Sequence, residues 1–147
     1  MNLINEIEEI VSRLDDNPRF SYMGRYEHNV HADHQDYSTG VVNLFEVEQP
    51  GFRINENTGA VRNVYPVFIE FVKLVKDMQV SAVERDVVIR EMQDMAGEFL
   101  VRLNQSDVFE VVANSVKGLT VIERYDANLC GIELNFELTS FEPLQIC

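Results

Sequence analysis

The sequence predicts an α+β fold: a mostly antiparallel sheet packed by one long and one short helix. Three observations predict it. Apolar residues recur at helical spacing near the N-terminus and again, over a longer stretch, beyond residue 81. Runs rich in β-branched and aromatic residues occupy Val41 to Glu48, Arg62 to Val75 and Leu119 to Leu138. The order is helix, strands, long helix, strands, without the regular strand–helix alternation that builds a parallel sheet. With 147 residues the chain reads as a single domain, long enough to bury roughly two thirds of its unfolded surface.

Leu3, Ile4, Ile7, Ile10, Val11 and Leu14 share one helical face, with Glu6, Glu8 and Glu9 on the others, so an amphipathic helix is expected from about residue 3 to 15. Its acids sit near the positive N-terminal end. Asp15-Asp16-Asn17-Pro18 ends it, because a proline biases the residue before it away from helical geometry. Phe20 to Tyr26 is a short strand candidate. Residues 27 to 40, EHNVHADHQDYSTG, are polar and aperiodic and read as an exposed loop. Val41 to Glu48 is the next strand. Pro50-Gly51 and Asn55 to Gly59 mark turns, making residues 49 to 61 a long connection or an extended hairpin tip.

Arg62 to Val75, RNVYPVFIEFVKLV, is apolar on both faces around Glu70. That pattern fits a strand covered on two sides, by a helix and by a second layer or a neighbouring chain. Pro66 cannot donate to a ladder and belongs near the strand start or at an edge. Ser81-Ala82-Val83-Glu84 has the form of a capping box. The helix it opens runs to about Asn104, with a core stripe of Val88, Met92, Met95, Phe99 and Leu103 and a solvated face carrying Arg85, Glu91, Asp94, Glu98 and Arg102. Gly97 inside this helix costs about 1 kcal/mol against alanine, which predicts close backbone packing there. Val108 to Ala113 is a further strand. The closing hairpin is the clearest element: Thr120 to Tyr125, a turn at Asp126-Ala127-Asn128, then a strand whose Cys130, Ile132, Leu134, Phe136 and Leu138 alternate with Glu133, Asn135 and Glu137.

Charge excludes whole classes of function. Asp and Glu number 25 against 12 Lys and Arg, a net −13, and no basic run exists to hold a phosphate backbone. Acidity on this scale repels nucleic acid and anionic membranes. The start, MNLINEIEEI, is acidic and helix-patterned rather than a signal peptide, and no apolar run approaches the roughly 20 residues of a membrane span. Two cysteines make no disulfide framework, and a reducing compartment fits them better. Cys130 reads as a small buried hydrophobe, and Cys147 is the last residue.

Candidate chemistry is sparse. His28, His31 and His34 cluster with Asp33 and Asp36, a ligand set that suits zinc or nickel. On a strand, however, His31 would point away from the other two, and loop histidines without supporting ligands are ordinarily solvated, so no metal site is assigned. Met92 and Met95 read as core filler rather than soft-metal ligands. There is no Gly-x-Ser-x-Gly elbow, no Cys–His pair and no glycine-rich phosphate loop. The paired Asp15 and Asp16 sit where a helix ends. No catalytic residue and no cofactor is therefore expected. Glu133, Asn135 and Glu137 have two readings: the wet outer face of a sheet, or a polar strip facing a channel or a neighbouring subunit.

The chain opens with a short helix (Asn2 to Asp15) and a polar loop, followed by a strand VVNLFEV. A longer strand VYPVFIEFVKL then leads into a helix containing MQDMAGEFLVRL. The chain closes with FEVVANSVKGLTVIERYDANLCGIELNFEL. This order resembles that of tail-terminator and related neck (head–tail joining) proteins of tailed bacteriophages. The resemblance covers most of the chain as a pattern of elements, with no single diagnostic motif. Residues 49 to 61 and the histidine-rich loop have no counterpart in it.

The resemblance implies a tail-terminator-like fold and a non-enzymatic structural protein of the virion, assembled in the host cytoplasm. It implies a closed ring, commonly a homo-hexamer, at the head–tail junction, with the tail tube and neck or connector proteins as partners. An acidic subunit suits a channel through which DNA must slide without sticking. Two other readings stay open. One is a head-completion or other neck adaptor whose loops dock on a portal. The other is a small metal-binding protein or enzyme using His28, His31 and His34.

Overall fold

The computed structural model describes residues 2–24, 39–75, 82–124 and 129–145. Its elements, in chain order, are α1 (Leu3–Ser12), β1 (Arg19–Met23), β2 (Val41–Phe45), β3 (Gly51–Ile54), β4 (Val61–Leu74), α2 (Ala82–Asn104), β5 (Phe109–Val111), β6 (Lys117–Arg124) and β7 (Leu129–Ser140). The histidine cluster with Asp33 and Asp36, Ser81 of the expected capping box, the Asp126 to Asn128 turn and Cys147 lie outside the described residues.

Helix α1 starts where Asn2 accepts from the Ile4 N–H at 2.8 Å, satisfying one of the orphan donors of a helix start. It stops at Ser12, earlier than expected. Arg13 and Leu14 bond back to Ile10 and Val11, three residues away, which tightens the last turn before Pro18 takes effect. Asn17 then adopts φ 48° ahead of the proline. Leu14 stays buried although it is outside the helix.

The seven strands form one mixed sheet in the order β1-β2-β4-β7-β5, with β3 also beside β4 and β6 beside β7. β2 pairs with the second half of β4 and β3 with its first residues, so the two lie end to end along one edge of β4. β5 and β6 share the far edge of β7 in the same way. All pairings are antiparallel except β1 with β2, which is parallel. The ladder that organises the sheet is β4 with β7, running from Val64 opposite Thr139 to Leu74 opposite Leu129. At Gly131 the strands approach so closely that a Cβ would stand 1.9 Å from the Phe71 carbonyl oxygen.

Both helices pack on one face. Val67, Ile69 and Phe71 of β4 and Leu134, Phe136 and Leu138 of β7 point into a core shared with α1 and α2. Phe99 of α2 is its centre, with ring centroids 5.5 Å from Phe71 and 6.4 Å from Phe136. Met92 and Met95 are core filler, and Cys130 is fully buried. The two helices are tied end to end: the Asp15 N–H donates to the Glu98 carboxylate at 3.0 Å, and Arg102 lies beside both acids. Glu98 and Arg102 are therefore half-buried rather than solvated.

The opposite face carries a smaller cluster, Val41, Val72, Val121 and Leu129, that contains no helix residue. The two-sided reading of β4 is thus met: Phe71 is buried on one face, Glu70 and Val72 on the other. Two further expectations are corrected. Gly97 is exposed, with nothing among the described residues within 4 Å of a Cβ placed there, so close packing does not explain it. Glu133 is only 6% exposed, because alternation along a strand assigns a face but not whether that face is covered.

Candidate assembly surface

Among the described residues, the most constrained polar group is a row across the face opposite α1 and α2. Ser21, Asn43, Glu70 and Glu133 stand opposite one another on the adjacent strands β1, β2, β4 and β7. All four are buried, and Asn43 Nδ2 donates to Glu70 Oε1 at 2.9 Å. A buried carboxylate is tolerated only with such partners. A one-residue slip of β2 would put Val42 or Leu44 opposite Glu70, so this row fixes register. It is a structural device in the sheet's centre. Asn135 and Glu137, the other members of the expected polar strip, are exposed farther along β7.

The exposed surface is different in character. The β3–β4 hairpin extends the sheet into an arm. Its tip is built rather than loose: Asn55 Oδ1 accepts from the N–H groups of Asn57 and Thr58, and Asn55 N donates to the Ala60 carbonyl at 2.9 Å. Gly59 supplies the φ of +73° that closes the turn. This arm holds Phe52 and Ile54 on the helical side of the sheet at 69% and 65% exposure. On the other side Arg53 stands directly opposite Arg62, a like-charge pair that opposes folding. The Arg62 Nε is buried without a hydrogen-bond partner among the described residues.

A second apolar surface lies on α2. Val83, Val87 and Val101 are all more than half exposed, and helical spacing puts them with Gly97 along one outer stripe. Valine and glycine are weak helix formers, and among the described residues nothing covers them there. The stripe ends at a groove of about 550 Å³ lined by Leu100, Val101 and Asn104 from α2 and by Val111, Val112 and Val116 beyond it. Ser115 shapes that wall: its hydroxyl donates to the Val112 carbonyl and accepts from the Glu137 N–H.

These residues were missed in the sequence, though signals existed. Phe52-Arg53-Ile54 alternates like a strand, but turn residues on both sides conceal a strand this short. Val83, Val87 and Val101 fall opposite the core stripe of α2, which marks them as exposed. Among the described residues no group of three or more His, Cys, Asp or Glu side chains gathers to hold a metal, and no helix is long and apolar enough to cross a membrane. Neither the protein-family models nor the curated proteins include a match to this chain.

Proposed function

We propose that this chain is a structural protein of a tailed-phage virion, a tail terminator or adjoining neck component that closes into a ring, six-fold, at the head–tail junction. The reading rests on the order of elements, and the observation that carries it is the exposed apolar surface. A chain with 25 acids against 12 bases has no shortage of charge to cover itself. It nevertheless leaves Phe52, Ile54, Val83 and Val101 in water, on a well-formed arm and a long helix. Exposed apolar groups concentrated on rigid elements mark association surfaces.

The acid surplus supports the same reading, since it keeps a DNA duplex off a channel wall. The buried Glu133 is withdrawn from such a wall. The test is mass in solution with negative-stain imaging over a range of concentrations, with and without tail tubes. Rings with a central hole support the proposal; a monomer that stays inert to tail tubes refutes it. A monomer that binds a portal instead would favour the head-completion adaptor.

A further inference from the structure

The geometry points to one self-contact: the β3–β4 arm of one copy seats Phe52 and Ile54 in the groove between α2 and the β5–β6 connection of the next copy. This rests on the proposed ring and names the surfaces that would close it.

Three features select this occupant. The first is position. The arm leaves from the β2 side of β4, while the groove lies at the outer edge of β7, so β4 and β7 separate them by about 14 Å of sheet. Both sit at the same end of the sheet, because the first residues of β4 pair with the last of β7 and those in turn with β5. Unlike surfaces on opposite edges produce a heterologous contact, the kind that propagates head to tail and closes into rings.

The second feature is that the faces match. Phe52 and Ile54 share the helical side of the sheet with the groove, which is walled by α2. They sit two residues apart on one face of a strand, about 7 Å, a spacing the groove can take as two side chains. The third is charge. Arg53 and Arg62 occupy the opposite side of the arm. On that same side, beside the groove, stand Glu110 and Glu137, both exposed, with Lys117 the base among them. Docking the apolar pair on one side would therefore bring the two arginines toward two carboxylates on the other. That contact relieves a like-charge pair which neither arginine balances with an ion pair among the described residues.

The experiment is disulfide trapping between two separately purified full-length variants, Ile54→Cys and Val101→Cys, both carrying Cys147→Ser. Cys130 is buried and stays silent. They are mixed in a glutathione redox buffer, with Glu8→Cys on the exposed face of α1 replacing Val101→Cys as the control. The inference predicts that the Ile54–Val101 pair cross-links on the order of tenfold faster than either the control pair or like-with-like mixtures. It also predicts that Arg53→Glu slows trapping and that adding Glu137→Arg to the other partner restores it. Cross-linking at the control rate overturns it.

Imaging of the unmodified protein separates this inference from the ring. Rings whose arms fail to trap would leave the ring and remove this contact. Efficient trapping in open filaments or isolated pairs would keep the contact and remove the ring.

Discussion

Gly131→Ala is the sharpest perturbation of the sheet. The added methyl would stand 1.9 Å from the Phe71 carbonyl oxygen, 2.9 Å from its carbon and 3.0 Å from the Val72 Cα. Even weak C–H···O contacts hold carbon and oxygen at about 3.3–3.6 Å, so roughly 1.5 Å of overlap must be relieved. The neighbours are backbone, which no rotamer change moves. Relief requires β7 to separate from β4 near one end of the sheet's longest ladder, where Gly131 pairs with Val72 on one side and Val121 on the other.

Overpacking costs about 1–3 kcal/mol, and a strained ladder bond adds about 0.5–1.5 kcal/mol. The lower entropy of an unfolded alanine returns about 0.5–1 kcal/mol. The net loss is about 2–3 kcal/mol, or a fall in Tm of roughly 4–12 °C for a chain of this size. Urea titration followed by far-UV circular dichroism measures it, with the expected change in midpoint and an unchanged slope. A variant within about 0.5 kcal/mol of the parent would refute the close approach of β4 and β7.

The remaining predictions use the same titration. Gly97→Ala should raise stability by about 0.5–1 kcal/mol, because the helix gains propensity and the new methyl meets nothing within 4 Å. A loss would show that something packs there after all. Asn43→Ala removes the donor to the buried Glu70 carboxylate and should cost about 2–3 kcal/mol, whereas an effect below about 0.5 kcal/mol would deny that bond its role. Phe99→Ala empties the centre of the aromatic cluster and should cost about 3–5 kcal/mol; a cost under 1 kcal/mol would place the core elsewhere. Phe52→Glu combined with Ile54→Glu should leave the isolated subunit's stability within about 0.5 kcal/mol of the parent, because both side chains already face solvent.

Long periodic segments were legible in the sequence. The core stripe of α2 from Met92 to Leu103 and the alternation of Cys130 to Leu138 identify element, type and buried face, because burial imposes a period of 3.6 or 2 on the residues. What period does not carry is pairing. The parallel partnership of β1 and β2 depends on residues far apart in the chain, and no local pattern encodes it. Covering of the second face is equally non-local: Glu133 alternates as a surface residue does, and Asn43 interrupts the apolar run VVNLF, yet both are buried. The proposed assembly surface was hidden for another reason. A residue that packs against a partner looks, within one chain, like an exposed apolar residue, and single ones are common on any surface. Only their collection on the arm and on one stripe of α2 separates them from that background.

The central claim is that these surfaces exist to join copies of the chain. The most direct measurement is the mass of the unmodified protein in solution over a wide concentration range, with imaging of whatever assembles and tail tubes added in parallel. The account predicts a discrete closed ring, alone or on the tubes, that the Phe52→Glu, Ile54→Glu double variant fails to form. A monomer at every concentration that also ignores the tubes would contradict it.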